Sequence, residues 1–319
     1  MAFIGFLMRR LSISAATVVF ATALTFVLIH LAPGDAADIV LRRVFIGDPE
    51  SAGAAGDVAV IASRFGFDNP LVVQYTDWAI AALHLDFGLS VVTGMPVAGE
   101  LLLRLGPTLI LAFAATLVSL AITGLMVAGC RWLPRAGGRA ADMASVVSVS
   151  IPNFYLGLML VLVFSVGLDL LPVSGAGGWR HYILPVAVLA LGQFGYLTAL
   201  TRGSLNEASR QLYVDTARGK GLSERLVFRD HVLRNAIVPV VPYAALQLGF
   251  LLGGVVVVER LFSLPGLGGY LIDSLDVRDV PAFLATVGVI AAFVSLVNLA
   301  GDLLLYGLDP RIRFSARRA

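Results

Sequence analysis

The sequence predicts an all-α integral membrane protein of six transmembrane helices with both termini cytoplasmic. Three observations predict it. First, 58% of the 319 residues are apolar and 14% are charged, against about 45–50% and about 25% in soluble domains. Second, six runs are long and apolar enough to cross ~30 Å of hydrocarbon, which takes about 20 residues. They lie at about 11–32, 105–130, 143–168, 183–201, 236–258 and 281–307, and Asp302 is the one formal charge inside them. Third, the charges outside the runs are sorted by side. The segments 1–10, 131–142, 202–235 and 308–319 hold 16 of the 23 cations, and the intervening ones hold 14 of the 21 acids. Arg and Lys mark the cytoplasmic side.

The first run follows Arg9 and Arg10, as a secretory signal would. Its 22 residues exceed the ~7–15 of a signal core, and no small-residue cleavage site follows. It is read as a retained anchor. The outer segment 33–104 comes next. It contains a Gly/Ala-rich loop at Ser51–Gly56, a helix near Pro70–Leu85 and an extended Phe87-Gly88-Leu89-Ser90. The chain therefore divides into 1–100, one transmembrane helix with the outer segment, and 101–319, a five-helix core with a cytoplasmic loop.

That loop, 202–235, carries eleven charges in 34 residues, where a simple connection needs only a few residues. Residues 204–218 have helical composition, with Leu205, Ala208, Leu212 and Ala217 on one side. Gly219 and Gly221 end this helix, because Gly takes a left-handed backbone cheaply. Ser223 is the N-cap of a second helix, with Glu224 at its positive dipole end, running on to Pro239. Such a short helix can carry a push from a soluble partner to two spans. From composition alone, an interfacial helix pair held by snorkelling Arg side chains explains the loop equally well.

The run Tyr213-Val-Asp215-Thr216-Ala217-Arg-Gly219-Lys-Gly221-Leu222-Ser223 resembles the coupling loop of ATP-binding-cassette (ABC) importer permeases, in the dipeptide/oligopeptide/nickel branch. Asp215-Thr216-Ala217 stands for the family's Glu-Ala-Ala and Gly221 for its Gly. Of the Ile-x-Leu-Pro that follows, only Leu233 survives. Further similarities run in order along the chain: Asp86–Ser90 with Thr93-Gly94-x-Pro96-Val97, Ser150–Gly157, Leu170–Gly175, Glu259–Gly268 and Asp309–Arg313.

The resemblance implies a type I ABC importer permease fold in a bacterial or archaeal inner membrane. It implies a second homologous permease subunit, two ABC ATPase subunits that bind ATP and Mg, and an extracytoplasmic solute-binding protein. Tyr213, Asp215, Thr216, Ala217, Gly219, Gly221, Leu222 and Ser223 become the ATPase contact, with Arg218, Lys220 and Arg225 as solvated or rim charges. The outer segment and Ser263–Tyr270 become candidates for the binding-protein side.

Other function classes fare worse. A phosphate-cradling G-x4-G-K-[ST] needs a Lys, and the single Lys220 is followed by Gly221, with Val214 in place of the first Gly. So ATP has no site in this chain, and neither G-x-S-x-G nor H-E-x-x-H occurs. One Cys and four scattered His give no metal pattern, and a net charge of +2 gives no nucleic-acid face. An ion-coupled secondary transporter is the alternative function. It usually needs ionisable residues at mid-membrane, but Asp302 sits near the cytoplasmic end of its span, and Glu259 and Arg260 are read as interfacial.

Overall fold

The computed structural model describes residues 2–31, 69–132 and 134–308. The outer segment before Asn69, with its Ser51–Gly56 loop, and the Asp309–Arg313 signature lie outside the described residues. Among the described residues, the only β pairing is an isolated bridge between Leu89 and Pro96.

The helices in chain order are α1 (Ala2–Leu31), α2 (Leu71–Leu83), α3 (Val97–Trp132) and α4 (Pro134–Ser150). Then come α5 (Asn153–Gly167, π-helical over Val161–Gly167), α6 (Arg180–Ser209) and α7 (Leu212–Gly219). Last are α8 (Glu224–Leu261, π-helical over Val227–Leu233), α9 (Leu267–Asp276) and α10 (Val280–Leu308). The helices α1, α3, α6, α8 and α10 are long and apolar enough to span a bilayer, and α4 with α5 makes a sixth, bent span.

The third apolar run is therefore not one helix. It bends by 101° between α4 and α5. Pro152 lacks an amide hydrogen and steers Ile151 away from helical backbone. The bend packs on the middle of α6. A Cβ on Gly192 would lie 2.5 Å from Asn153 Oδ1, and one on Gly195 would lie 2.6 Å from the Ser145 carbonyl. Ser148 donates its hydroxyl hydrogen to the Leu191 carbonyl at the same level. Gly195→Leu should thus force α4 off α6 and cost about 1–3 kcal/mol, the usual range for overpacking. Thermal unfolding in detergent checks this, with Gly124→Leu, which meets open space, as the control that should change little.

Two compact units divide the chain: Met1–Ser12 with Leu109–Leu264 and Val294–Ala319, and Ile13–Thr108 with Pro265–Phe293. In the first unit, Arg10 pairs with Asp302 at 2.7 Å, and the Phe6 ring stacks on Tyr306 at 5.3 Å. Glu259 corrects the sequence reading. It is fully buried rather than interfacial, while Arg260 is exposed. Helix α8 runs on past Val258, so Glu259 falls on the inward side of its last turn. Its carbonyl accepts the Leu264 amide as the chain reverses at Ser263.

The second unit builds its core from Val97, Leu101, Leu267, Tyr270, Ala282 and Ala285, with Trp78 and Phe87 packed against them. The helix expected near Pro70–Leu85 is α2. Its Tyr75 hydroxyl lies 3.1 Å from the Val19 carbonyl of α1. The Asp86–Val97 segment folds back on itself in a small knot, within which Leu89 of the expected extended stretch Phe87–Ser90 makes the bridge to Pro96. Gly88, at φ +81, lets the Val97 amide reach the Gly88 carbonyl at 3.0 Å. Arg104 pairs with Glu100 at 3.1 Å and lies 4.5 Å from the centre of the Tyr270 ring. Burial pushes the Tyr270 hydroxyl up to about 12, with Asp279 and Glu100 adding to the shift and Arg104 opposing it.

Candidate functional site: the helix between two spans

Helix α6 leaves its apolar run and continues as far as Ser209. The chain then breaks at Arg210 and Gln211, where Gln211 is extended at φ −78°, ψ 143°. Helix α7 starts there and lasts eight residues. The expected single helix over 204–218 is thus two helices, and the break changes which residues face inward. Val214 and Ala217 are buried in one apolar cluster with Leu205 and Ala208 of α6 and with Val227, Val232 and Ala236 of α8; Val127 of α3 packs against it. Leu212, expected on the buried side, is 83% exposed.

The end of α7 is a Schellman turn. The Leu222 amide donates to the Ala217 carbonyl at 3.4 Å and the Gly221 amide to Arg218 at 2.9 Å. Gly221 sits at φ +78 with nothing within 4 Å of where a Cβ would be. Non-Gly residues pay about 1–2 kcal/mol in this left-handed region. Ser223 occupies the N-cap of α8 with extended backbone, but its side chain makes no cap bond; its carbonyl accepts the Val227 amide at 3.0 Å.

A charged strap crosses the turn. Arg218 donates Nε to Glu224 Oε1 at 2.9 Å and Nη2 to Glu224 Oε2 at 3.4 Å. Its Nη1 reaches Asp215 Oδ1 at 3.4 Å. The bond to Glu224, then its charge, raise the guanidinium above its ordinary value, so Arg218 stays cationic throughout the physiological range.

Of the eight residues singled out in the sequence, seven are exposed: Tyr213, Asp215, Thr216, Gly219, Gly221, Leu222 and Ser223. Ala217 faces the spans instead. Its small side chain is used for packing inside the chain. Two residues join the site from the structure. Leu212 presents an apolar side chain to water at the first position of α7, and Val214 anchors the underside. The sequence carries no signal for the break at Arg210–Gln211 that places them, since Arg and Gln are both good helix formers.

Helix α7 is thus amphipathic, its apolar face set against α3, α6 and α8 and a mixed face left exposed. The family described as "Binding-protein-dependent transport system inner membrane component" matches residues 120–314, and its N-terminal counterpart matches residues 3–111. The chain belongs to this family. It is a permease subunit of an ABC importer, multi-pass in the inner membrane, and works with partner components. A glutathione transport system permease protein GsiC of Salmonella choleraesuis (strain SC-B67) is 38% identical to it over 315 residues, 98% of this chain and 99% of the relative. That of Escherichia coli (strain K12) is 37% identical over 313 residues, with 98% and 99% covered. Among solved structures, an amino acid ABC transporter with histidines matches with a TM-score of 0.52 at 17% identity. That match covers 69% of this permease and 94% of the other chain. This last likeness concerns the fold, which is the type I permease fold.

Proposed function

We propose that this permease forms half of the translocation path for a peptide-like small solute, paired with a second homologous permease in a bacterial inner membrane. An extracytoplasmic solute-binding protein delivers the solute. Two separate ATPase subunits bind ATP and Mg, and α7 with the Gly221 turn is their docking element on this chain. One observation carries the docking reading: α7 is buried by Val214 and Ala217 against three spans while Leu212, Tyr213 and Leu222 are left exposed. Closure of the ATPases would move α7, and the apolar cluster would pass that movement to α3, α6 and α8 together. Glutathione is the first solute to test, because relatives 37–38% identical over nearly the whole chain carry that name.

The test of docking is Leu212→Glu. A carboxylate at the first position of a helix is favoured by the helix dipole, so α7 keeps its fold and loses only its exposed apolar contact. The variant should insert normally and co-purify with markedly less ATPase subunit from detergent extracts. Undiminished co-purification would remove α7 from the docking surface. Transport is tested in proteoliposomes containing all subunits, with labelled glutathione and then dipeptides. ATP-dependent uptake is expected, whereas uptake driven by an ion gradient alone would overturn the reading.

A further inference from the structure

We propose that Arg218 is a positioning residue: it fixes the angle between α7 and α8, so that the two move as one body. The inference rests on the docking reading above and adds the part that makes docking productive.

The covalent link between the two helices is Lys220–Ser223, with left-handed Gly221 inside it. Glycine leaves such a link free to pivot. The buried face of α7 holds it near the spans, but apolar burial is non-directional and sets distance better than angle. Arg218 supplies the missing direction. It stands in the last turn of α7, and its planar fork meets both oxygens of Glu224, the first residue of α8, at 2.9 and 3.4 Å. A two-point Arg–carboxylate contact fixes orientation as a single point charge does not. The third donor, on Asp215 at 3.4 Å, ties the fork back to its own helix.

The position along the chain matters too. Immediately after Glu224–Leu226 comes the π-helical stretch Val227–Leu233. Such stretches have looser hydrogen bonding and often mark places where a helix adjusts. Val227 and Val232 from this stretch pack in the same apolar cluster as α7. With the strap closed, a displacement of α7 reaches the π-helical stretch through a fixed angle. With the strap open, part of the displacement is lost as pivoting about Gly221.

Exposed ion pairs add little to folding stability, and the carboxylates here are 68% exposed. The role therefore shows in coupling rather than in expression. The experiment uses the full transporter in proteoliposomes and measures solute taken up per ATP hydrolysed, with ATPase co-purification recorded on the same samples. Arg218→Ala and Glu224→Gln should each lower that ratio about two- to fivefold, the span an exposed pair can command. The double variant should be no worse than either single one, and Arg218→Lys should fall between. Equal ratios in all variants would overturn the proposal. So would a silent Glu224→Gln beside an Arg218→Ala that loses ATPase binding, since Arg218 would then act as a direct contact. Failure of the docking reading looks different: Leu212→Glu would leave co-purification intact whatever the strap variants do.

Discussion

Gly221→Val is expected to reach the membrane normally and to lose about tenfold in solute-stimulated ATP hydrolysis. The backbone there is at φ +78, which closes the Schellman turn by carrying the Gly221 and Leu222 amides back to Arg218 and Ala217. A Cβ would meet no neighbour, since nothing lies within 4 Å of its position. The cost at the Cβ is conformational. It is about 1–2 kcal/mol for an ordinary residue, and a β-branched residue is a worse case. At about 1.4 kcal/mol per tenfold, the strained turn is depopulated on the order of tenfold, and the strap from Arg218 to Glu224 opens with it. Gly221→Asn separates backbone from contact. Asn enters the left-handed region more readily, so it should retain most of the activity. If Val and Asn behaved alike, the left-handed turn would not be the reason for Gly at this place. Gly221→Asp adds a further strain: its carboxylate competes with Glu224 for Arg218 and should fall below Asn.

The six apolar runs and their flanking charges were legible because the bilayer imposes both, residue by residue. The bend in the third run was not, since a window of about 20 residues averages over Ile151 and Pro152 and sees only apolarity. The loop told a similar story. Gly221 was legible as a helix stop, because few residues accept that backbone. The inward face of α7 was legible only in part. Helical phase carried on from 204 groups Leu212 with Leu205, Ala208 and Ala217, and the break at Arg210–Gln211 resets the phase, so Leu212 is exposed and Val214 faces in beside Ala217. Burial of Glu259 was hidden for a related reason. A charged residue at the end of an apolar run reads as interfacial unless the chain after it is known to fold back, which here depends on a positive φ at Ser263. Interval and composition are local signals; turns that reset phase are not.

The largest stability effect is expected in the second unit, at Asp279. Its carboxylate is buried and satisfied from three directions. It accepts the Ser90 hydroxyl, and its Oδ1 accepts the Val91 and Ala282 amides, each at 3.3 Å. The last of these makes it the side-chain cap of α10. Ser90 is itself fixed, because its Oγ accepts the Thr93 amide at 3.0 Å and its amide reaches the Met95 carbonyl at 2.9 Å. The residue before, Arg278, stands at φ +53 to end α9, so that the Asp279 amide bonds to the Ser274 carbonyl at 2.8 Å. One carboxylate thus joins the Asp86–Val97 knot, the end of α9 and the start of α10. Asp279→Ala removes a cap, at about 0.5–2 kcal/mol, and strands buried donors, at about 1–3 kcal/mol. A loss of about 2–4 kcal/mol should follow, read as a lower unfolding midpoint in detergent. Asp279→Asn keeps an acceptor for the amides and should lose less. Ser90→Ala should overlap with Asp279→Ala rather than add to it, because the two act through one bond. Additive losses would mean that Ser90 and Asp279 stabilise the fold through separate partners, and that the knot does not depend on their contact.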